Sequence, residues 1–356
     1  MKFTIVGSIF DSSGYSIHTR ELFKALSNIA DVRLEIPLIP NWNRLITDKE
    51  LEAIKKPDDK DRIRIIITSP LYWKLNTTTG RNWAYMIWEG NKVPKCFIEE
   101  CLNPDIEYIL CPSNHTKQAI LNTSSEKDTE IELLNKKIRI IHHGVDLNLF
   151  YPKEKPNKCI FIANKGLRGP EDRGGLQYLI KAFIEEFTEE DVELIIKINP
   201  AYGIIDINNL MMQMQIPAKK YPKITINNQL MNYEELVKFY NQGTVFVSPT
   251  RAESFNIPCL EAMACGLPVL TTNFGGQTDF VNEENGWLIG GEMTEVKWDL
   301  MYEGISWLIP YYQDLRKMLR WIFEHTEGVN KKSQKALETA KQFTWENSAK
   351  KLIDLI

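Results

Sequence analysis

Apolar, β-branched runs alternate with amphipathic helical patterns along most of this chain, and that order restricts it to parallel sheets flanked by helices. In the first half the runs lie near 2–7, 63–68, 83–88, 107–111 and 138–142, with helices near 16–28, 94–102 and 114–121. The stretch Tyr151 to Lys158, YPKEKPNK, breaks the alternation with prolines and lysines and reads as a linker. A second series follows, with strands near 159–163, 192–198, 223–227, 244–248, 268–272 and 286–289 and helices near 174–187, 233–241 and 257–265. A chain of 356 residues exceeds one ordinary core. The expectation is an α/β protein of two Rossmann-like, doubly wound domains, 1–150 and 159–342, joined by 151–158.

Composition narrows the partners. A formal net charge of -4 provides no basic footprint for nucleic acid. No apolar run has the length of a bilayer span, and Phe3 to Phe10 is too short for a signal peptide, so it reads as the first strand. The six cysteines show no C-x2-C spacing, which leaves buried free thiols and a cytoplasmic location as the expectation. His142 and His143, adjacent on an extended strand, point to opposite faces and cannot share an ion. With no Asp-x-Asp pair beside a nucleotide loop, no metal site is expected.

The densest signal is Val245 to Asp279, VFVSPTRAESFNIPCLEAMACGLPVLTTNFGGQTD. A β-branched strand leads into a loop, and Pro258 and Gly266 bracket a short helix in the usual asymmetry. Glu253 falls in the loop, and Glu261 about one turn inside the helix, where its side chain leans back toward the helix start. Between them the backbone N–H groups of Ser254, Phe255 and Asn256 lie at a helix start, a ready anion site. Carboxylates that accept from hydroxyls beside a phosphate site suit a nucleotide sugar.

The segment RAESFNIPCLEAMACGLPV resembles the signature of glycosyltransferase family 4, the retaining group with the GT-B fold, whose E-x7-E motif Glu253 and Glu261 match. PSNHTKQ, IHHGVDLNLF and the closing FTWENSAKKLIDLI fit the same family in the same order. The resemblance implies two domains facing a central cleft, with donor binding in the second and acceptor binding in the first. It also implies that 343–356 forms a terminal helix packing back on the first domain. Further implications are transfer of a hexose from a nucleoside diphosphate sugar with retention, and no cofactor or metal. Glu253 would hold the sugar and Glu261 the ribose. In CIFIANKGLRGPEDRGGLQYLIKAF, Lys165 and Arg173 would neutralise the leaving diphosphate, Asn164 stands where the family has an arginine, and Arg168 is a reserve cation.

In the first domain Gly7 and Gly14 bracket the loop SIFDSSGYS, where Gly14 permits close approach to the donor and Ser16 is a candidate helix cap. Trp88 and Glu89 occupy the family's histidine position, so Glu89 is a candidate sugar or acceptor contact. An inverting enzyme on the same architecture would instead need Glu89 or His18 as general base. A catalytically silent nucleotide-sugar or glycan binder is the other class. The acceptor is an unidentified glycan, lipid or protein, and the aromatic cluster from Trp298 to Trp321 is a candidate for peripheral membrane contact.

Overall fold

The structure is a computed structural model that describes residues 1–37, 46–124, 128–199, 206–216, 219–297 and 300–356. Its contacts divide the chain into two units: Met1–Gly144 with Glu295–Ser306 and Thr344–Ile356, and Val145–Thr294 with Trp307–Phe343. The chain therefore enters the second unit at Gly144/Val145. The proline–lysine stretch lies within that unit, where Asn241 donates to the Tyr151 carbonyl and accepts from the Lys153 N–H.

The first unit is built on strands β1 (Lys2–Gly7), β2 (Asp31–Glu35), β3 (Ile63–Ile67), β4 (Asn82–Tyr85), β5 (Tyr108–Cys111) and β6 (Ile138–Ile140). They run parallel in the order β2-β1-β3-β4-β5-β6. IRIII in β3 is buried throughout, as a parallel strand covered on both faces must be. The helices are α1 (Gly14–Leu26), α2 (Asp48–Lys55), α3 (Trp73–Asn76), α4 (Lys95–Leu102), α5 (Asn114–Thr123) and α6 (Asp128–Lys137). The run expected near 83–88 stops at Tyr85, after which Trp88 turns in and donates to the Lys92 carbonyl. β2, α2, α3 and α6 lie outside the runs expected from the sequence.

The second unit repeats the scheme with β7 (Cys159–Lys165), β8 (Val192–Ile198), β9 (Ile224–Asn227), β10 (Val245–Ser248), β11 (Val269–Thr272) and β12 (Gly286–Ile289). Its order, β12-β11-β10-β7-β8-β9, reverses between β10 and β7. Ligands of open α/β sheets bind beyond the carboxyl ends of the strands at such a switch point. Helix α7 (Leu176–Glu186) follows β7, α8 (Ile207–Gln213) precedes β9, α9 (Tyr233–Asn241) precedes β10, and α10 (Ile257–Ala264) joins β10 to β11. Phe161, Ala163, Leu194 and Ile196 pack one face with α7, while Ile162, Ile195 and Phe246 pack the other with α9 and α10.

A hairpin of β13 (Gly291–Glu295) and β14 (Ser306–Pro310) follows, then α11 (Tyr312–Glu324), α12 (Thr326–Ala340) and α13 (Trp345–Ile353). Helix α13 packs on α1 within the first unit. The hairpin tip also belongs to that unit: Ile305 joins its core and Tyr302 stacks on Trp88. Trp298 lies outside the described residues. The rest of the aromatic cluster is divided, with Trp307 buried in the second unit and Trp321 stacked on His325. Among the described residues no helix is long and apolar enough to cross a membrane.

Candidate active site

At the switch point of the second sheet, Lys165 closes β7 and the loop 249–256 leaves β10. Lys165 Nζ donates to Glu253 Oε1 at 2.8 Å and to Asn256 Oδ1 at 2.6 Å. Arg173 reaches the same loop from the segment between β7 and α7, donating to the Ala252 carbonyl at 3.0 Å and standing 3.6 Å from Glu253 Oε2. Burial pushes the Glu253 carboxyl up, but Lys165 and Arg173 outweigh it and hold the group below the ordinary glutamate value. The site is thus a carboxylate kept ionised between two cations.

Local chemistry fixes the two loops. Asp172 accepts from the N–H groups of Arg168 and Gly174, which folds the segment after β7. Gly175 caps α7 at φ 79°, and a Cβ there would run into the Pro249 carbonyl oxygen, so the loops meet at a point only glycine fits. Arg251 N–H and Thr250 Oγ1 both donate to the Arg173 carbonyl, lacing the loops together. Behind Glu253, Gly276 N–H donates to its carbonyl, and a Cβ at Gly276 would meet the Ser254 carbonyl. The Phe255 ring is buried against Phe280 and Phe343 and anchors the loop from below.

Asn256 adopts the left-handed conformation at the start of α10, and its side chain, which donates to Ser248 Oγ, offers no cap to the helix. Its role beyond the backbone, as second acceptor for Lys165, was not foreseen. Glu261 is buried and accepts from Tyr240 Oη at 2.6 Å, and Asn164 Nδ2 donates to that hydroxyl at 3.1 Å. Asn164 therefore serves the Glu261 network, leaving Lys165 and Arg173 as the cations at Glu253. Arg168 is exposed, and its backbone N–H donates to Asp172. Tyr240 carried no local signal in the sequence beyond a place on an amphipathic helix; burial and then Glu261 drive its hydroxyl well above the usual phenol value.

In the first unit Gly14 opens α1 and is exposed, and among the described residues nothing lies within 4 Å of where its Cβ would be. The helix cap is Ser13, whose side chain accepts from the Ser16 N–H; Ser16 is buried and donates to Ser8. Ser13 precedes the helix in extended conformation, as a cap must, while Ser16 already lies inside. Glu89 is half-buried beside Tyr302, whose Oη is 3.4 Å from its Oε1. His18 is 0% exposed, enclosed by Tyr85, His143 and Trp345, with neither ring nitrogen at the surface. That position is one of packing. Among the described residues no three histidine, cysteine, aspartate or glutamate side chains converge as a metal site.

Residues 161–298 match the family described as glycosyl transferases group 1. A probable sucrose-phosphate synthase of Thermosipho melanesiensis is 25% identical over 230 residues, covering 62% of this chain and 47% of that protein. The chain spans about half the length of the curated relatives it matches. Among solved structures, sucrose-phosphate synthase from Thermosynechococcus elongatus is similar with a TM-score of 0.69 at 17% identity, over 100% of this chain and 98% of that one. Anabaena HepE in complex with UDP-glucose is similar with a TM-score of 0.66 at 13% identity, over 100% and 99%. The two parallel sheets are those of the GT-B fold, and residues 161–298, which hold Lys165, Arg173, Glu253 and Glu261, form a glycosyl transferases group 1 domain.

Proposed function

We propose that this chain transfers a hexose from a nucleoside diphosphate sugar to an acceptor hydroxyl with retention of anomeric configuration. The observation that carries the reading is the Lys165–Glu253–Arg173 constellation at the switch point, with Glu261 held by Tyr240 on the same helix that begins at Asn256. In the free protein Glu253 neutralises both cations. When the donor binds, its diphosphate takes over Lys165 and Arg173, preorganised charge that stabilises the leaving group as the bond from the anomeric carbon to phosphate oxygen breaks. Glu253 then accepts from sugar hydroxyls, and Glu261 from the ribose. The acceptor oxygen bonds to the anomeric carbon on the face the phosphate leaves, and its proton passes to the departing diphosphate.

The donor class is supported by the UDP-glucose bound in the HepE structure and by the group 1 domain itself. The enclosure of His18 in an aromatic cluster favours this reading over an inverting one, which would be left with Glu89 as its base. The test is a melting-temperature panel of UDP- and GDP-sugars, followed by proton NMR of the product formed from the donor that binds. Retention of the donor's anomeric configuration is expected. Stabilisation by no donor, or a product of inverted configuration, would overturn the assignment.

A further inference from the structure

Three strands of the second sheet end in polar side chains in one row. Asn164 on β7 is in register with Lys197 on β8, and Lys197 with Asn227 on β9, so the three side chains share a face. Two residues earlier the same face is core, with Ile162 and Ile195 packed under α9 and α10. The change from apolar to polar falls at the carboxyl ends of the strands, where the site lies.

Lys197 is the unusual member, for it is only 7% exposed. Among the described residues its ammonium has no hydrogen-bond or ion-pair partner, and Glu261 is the charged group that acts on it, opposing the loss of basicity that burial causes. Lysine is almost never buried without a partner, because removing its charge from water is costly. A methionine here would fill the same volume without that cost, so the fold alone does not account for the residue. One oxygen of Glu261 is taken by Tyr240, and Asn164 is committed to the same hydroxyl. Through Asn164, its neighbour in register, Lys197 thus lies beside the Tyr240–Glu261 pair, and among the described residues no protein group accepts from its ammonium.

We propose that Lys197 is a nucleotide-binding residue: its ammonium donates to a ribose hydroxyl oxygen of the bound nucleoside diphosphate, while Glu261 accepts a hydrogen bond from the same diol. The pair grips the ribose from both sides, and this rests on the reading above that Glu261 faces the ribose. Lys197 then selects for ribose over deoxyribose, because a nucleotide lacking the hydroxyl leaves the Lys197 ammonium without that acceptor.

The experiment compares wild type with Lys197→Met and Lys197→Arg by calorimetry, using whichever of UDP and GDP raises the wild-type melting temperature, together with its 2′-deoxy and 3′-deoxy forms. Lys197→Met should weaken the ribonucleotide by roughly tenfold or more, the loss of a hydrogen bond from a charged group. Against the deoxy form that lacks the contacted hydroxyl, the same substitution should cost less than about threefold, since the interaction is already gone. The apo melting temperature of Lys197→Met should hold or rise, and Lys197→Arg should recover part of the affinity. An equal loss against all three nucleotides together with a lowered melting temperature would make Lys197 a structural counter-ion of Glu261 and overturn the proposal. So would no loss at all. A wild-type chain that binds neither UDP nor GDP removes the donor reading itself, and the inference with it, before any variant is measured.

Discussion

Lys165 Nζ lies 2.8 Å from Glu253 Oε1, with the lysine side chain 6% and the glutamate 16% exposed, so the central charge pair of the site is nearly dry. Arg173, 34% exposed, closes the other side of the same carboxylate from 3.6 Å. The two cations share a target and differ in burial. That difference separates their contributions to stability from their contributions to binding.

Removing Lys165 leaves the buried Glu253 carboxylate with only the more distant Arg173 among its two cations, and breaking such a pair by deleting one partner costs up to about 3 kcal/mol. Lys165→Met should therefore lower the melting temperature and abolish nucleotide binding together. Arg173→Ala should leave the melting temperature nearly unchanged while weakening nucleoside diphosphate by about 1–3 kcal/mol. Calorimetric melting alongside titration checks both. An Arg173→Ala protein with wild-type affinity would return that residue to the solvated surface.

The two glutamates should divide along the donor. Glu253→Gln is expected to cut sugar transfer sharply while free nucleoside diphosphate still binds, because the proposed reading sets its carboxylate against the sugar and not the phosphates. Glu261→Ala should weaken the sugar-free nucleotide as well, and it leaves the Tyr240 hydroxyl without its acceptor. Titrating each variant with the nucleotide and with the nucleotide sugar yields four affinities. If both variants bind free nucleotide as tightly as wild type, Glu261 does not touch the ribose.

That Lys165, Arg173 and the Glu253 loop lie close together was legible in the sequence because they sit at a punctuated strand end and in loops before helices, and such punctuation is local. Strand β7, its loop and the β10–α10 turn followed from the order of runs. The Asn164–Tyr240–Glu261 network was not legible, since it joins residues on three elements that meet only when α9 packs on the sheet. Strand β2 escaped notice because DVRLE alternates apolar residues with charges; Arg33 pairs with Glu35, and Asp31 with Lys56 and Arg62. Nor does anything local in 295–306 tell that Tyr302 stacks on Trp88, more than two hundred positions away in the chain.

Gly175→Ala tests the lacing of the two loops. The position combines a φ of 79° with contact to the Pro249 carbonyl, so an alanine must either adopt a strained backbone or push the β10 loop away. Strain of this kind costs on the order of 1–3 kcal/mol. Because the displaced loop carries Glu253, nucleotide affinity should fall with stability. Retention of both would mean that the loops are positioned by Asp172 and Arg251 alone.

Donor turnover should survive a chelator, because charge on the departing diphosphate is assigned to Lys165, Arg173 and the start of α10. Activity measured with EDTA, then with added magnesium or manganese, gives the answer. Loss in EDTA with rescue by either ion would move that role from the side chains to a metal.

Acid should unfold the first unit through its buried histidines. Burial, and then each histidine's neighbour, holds His18 well below the ordinary imidazole value and His143 at about 3. In the unfolded chain both titrate near the usual histidine value of about 6.5. Between these limits the unfolded state binds more protons than the folded one, so stability is fully present above about pH 6.5 and falls as pH drops toward 3. The slope is on the order of 1 kcal/mol per pH unit for each histidine. Both rings stack on Trp345 at 5.6 Å, so protonation should release α13 from α1, and Trp345 fluorescence should report it. Denaturant melts at pH 7.5, 6.0 and 5.0 measure the slope, and His18→Phe should reduce it. A slope unchanged by that substitution would place the acid sensitivity elsewhere.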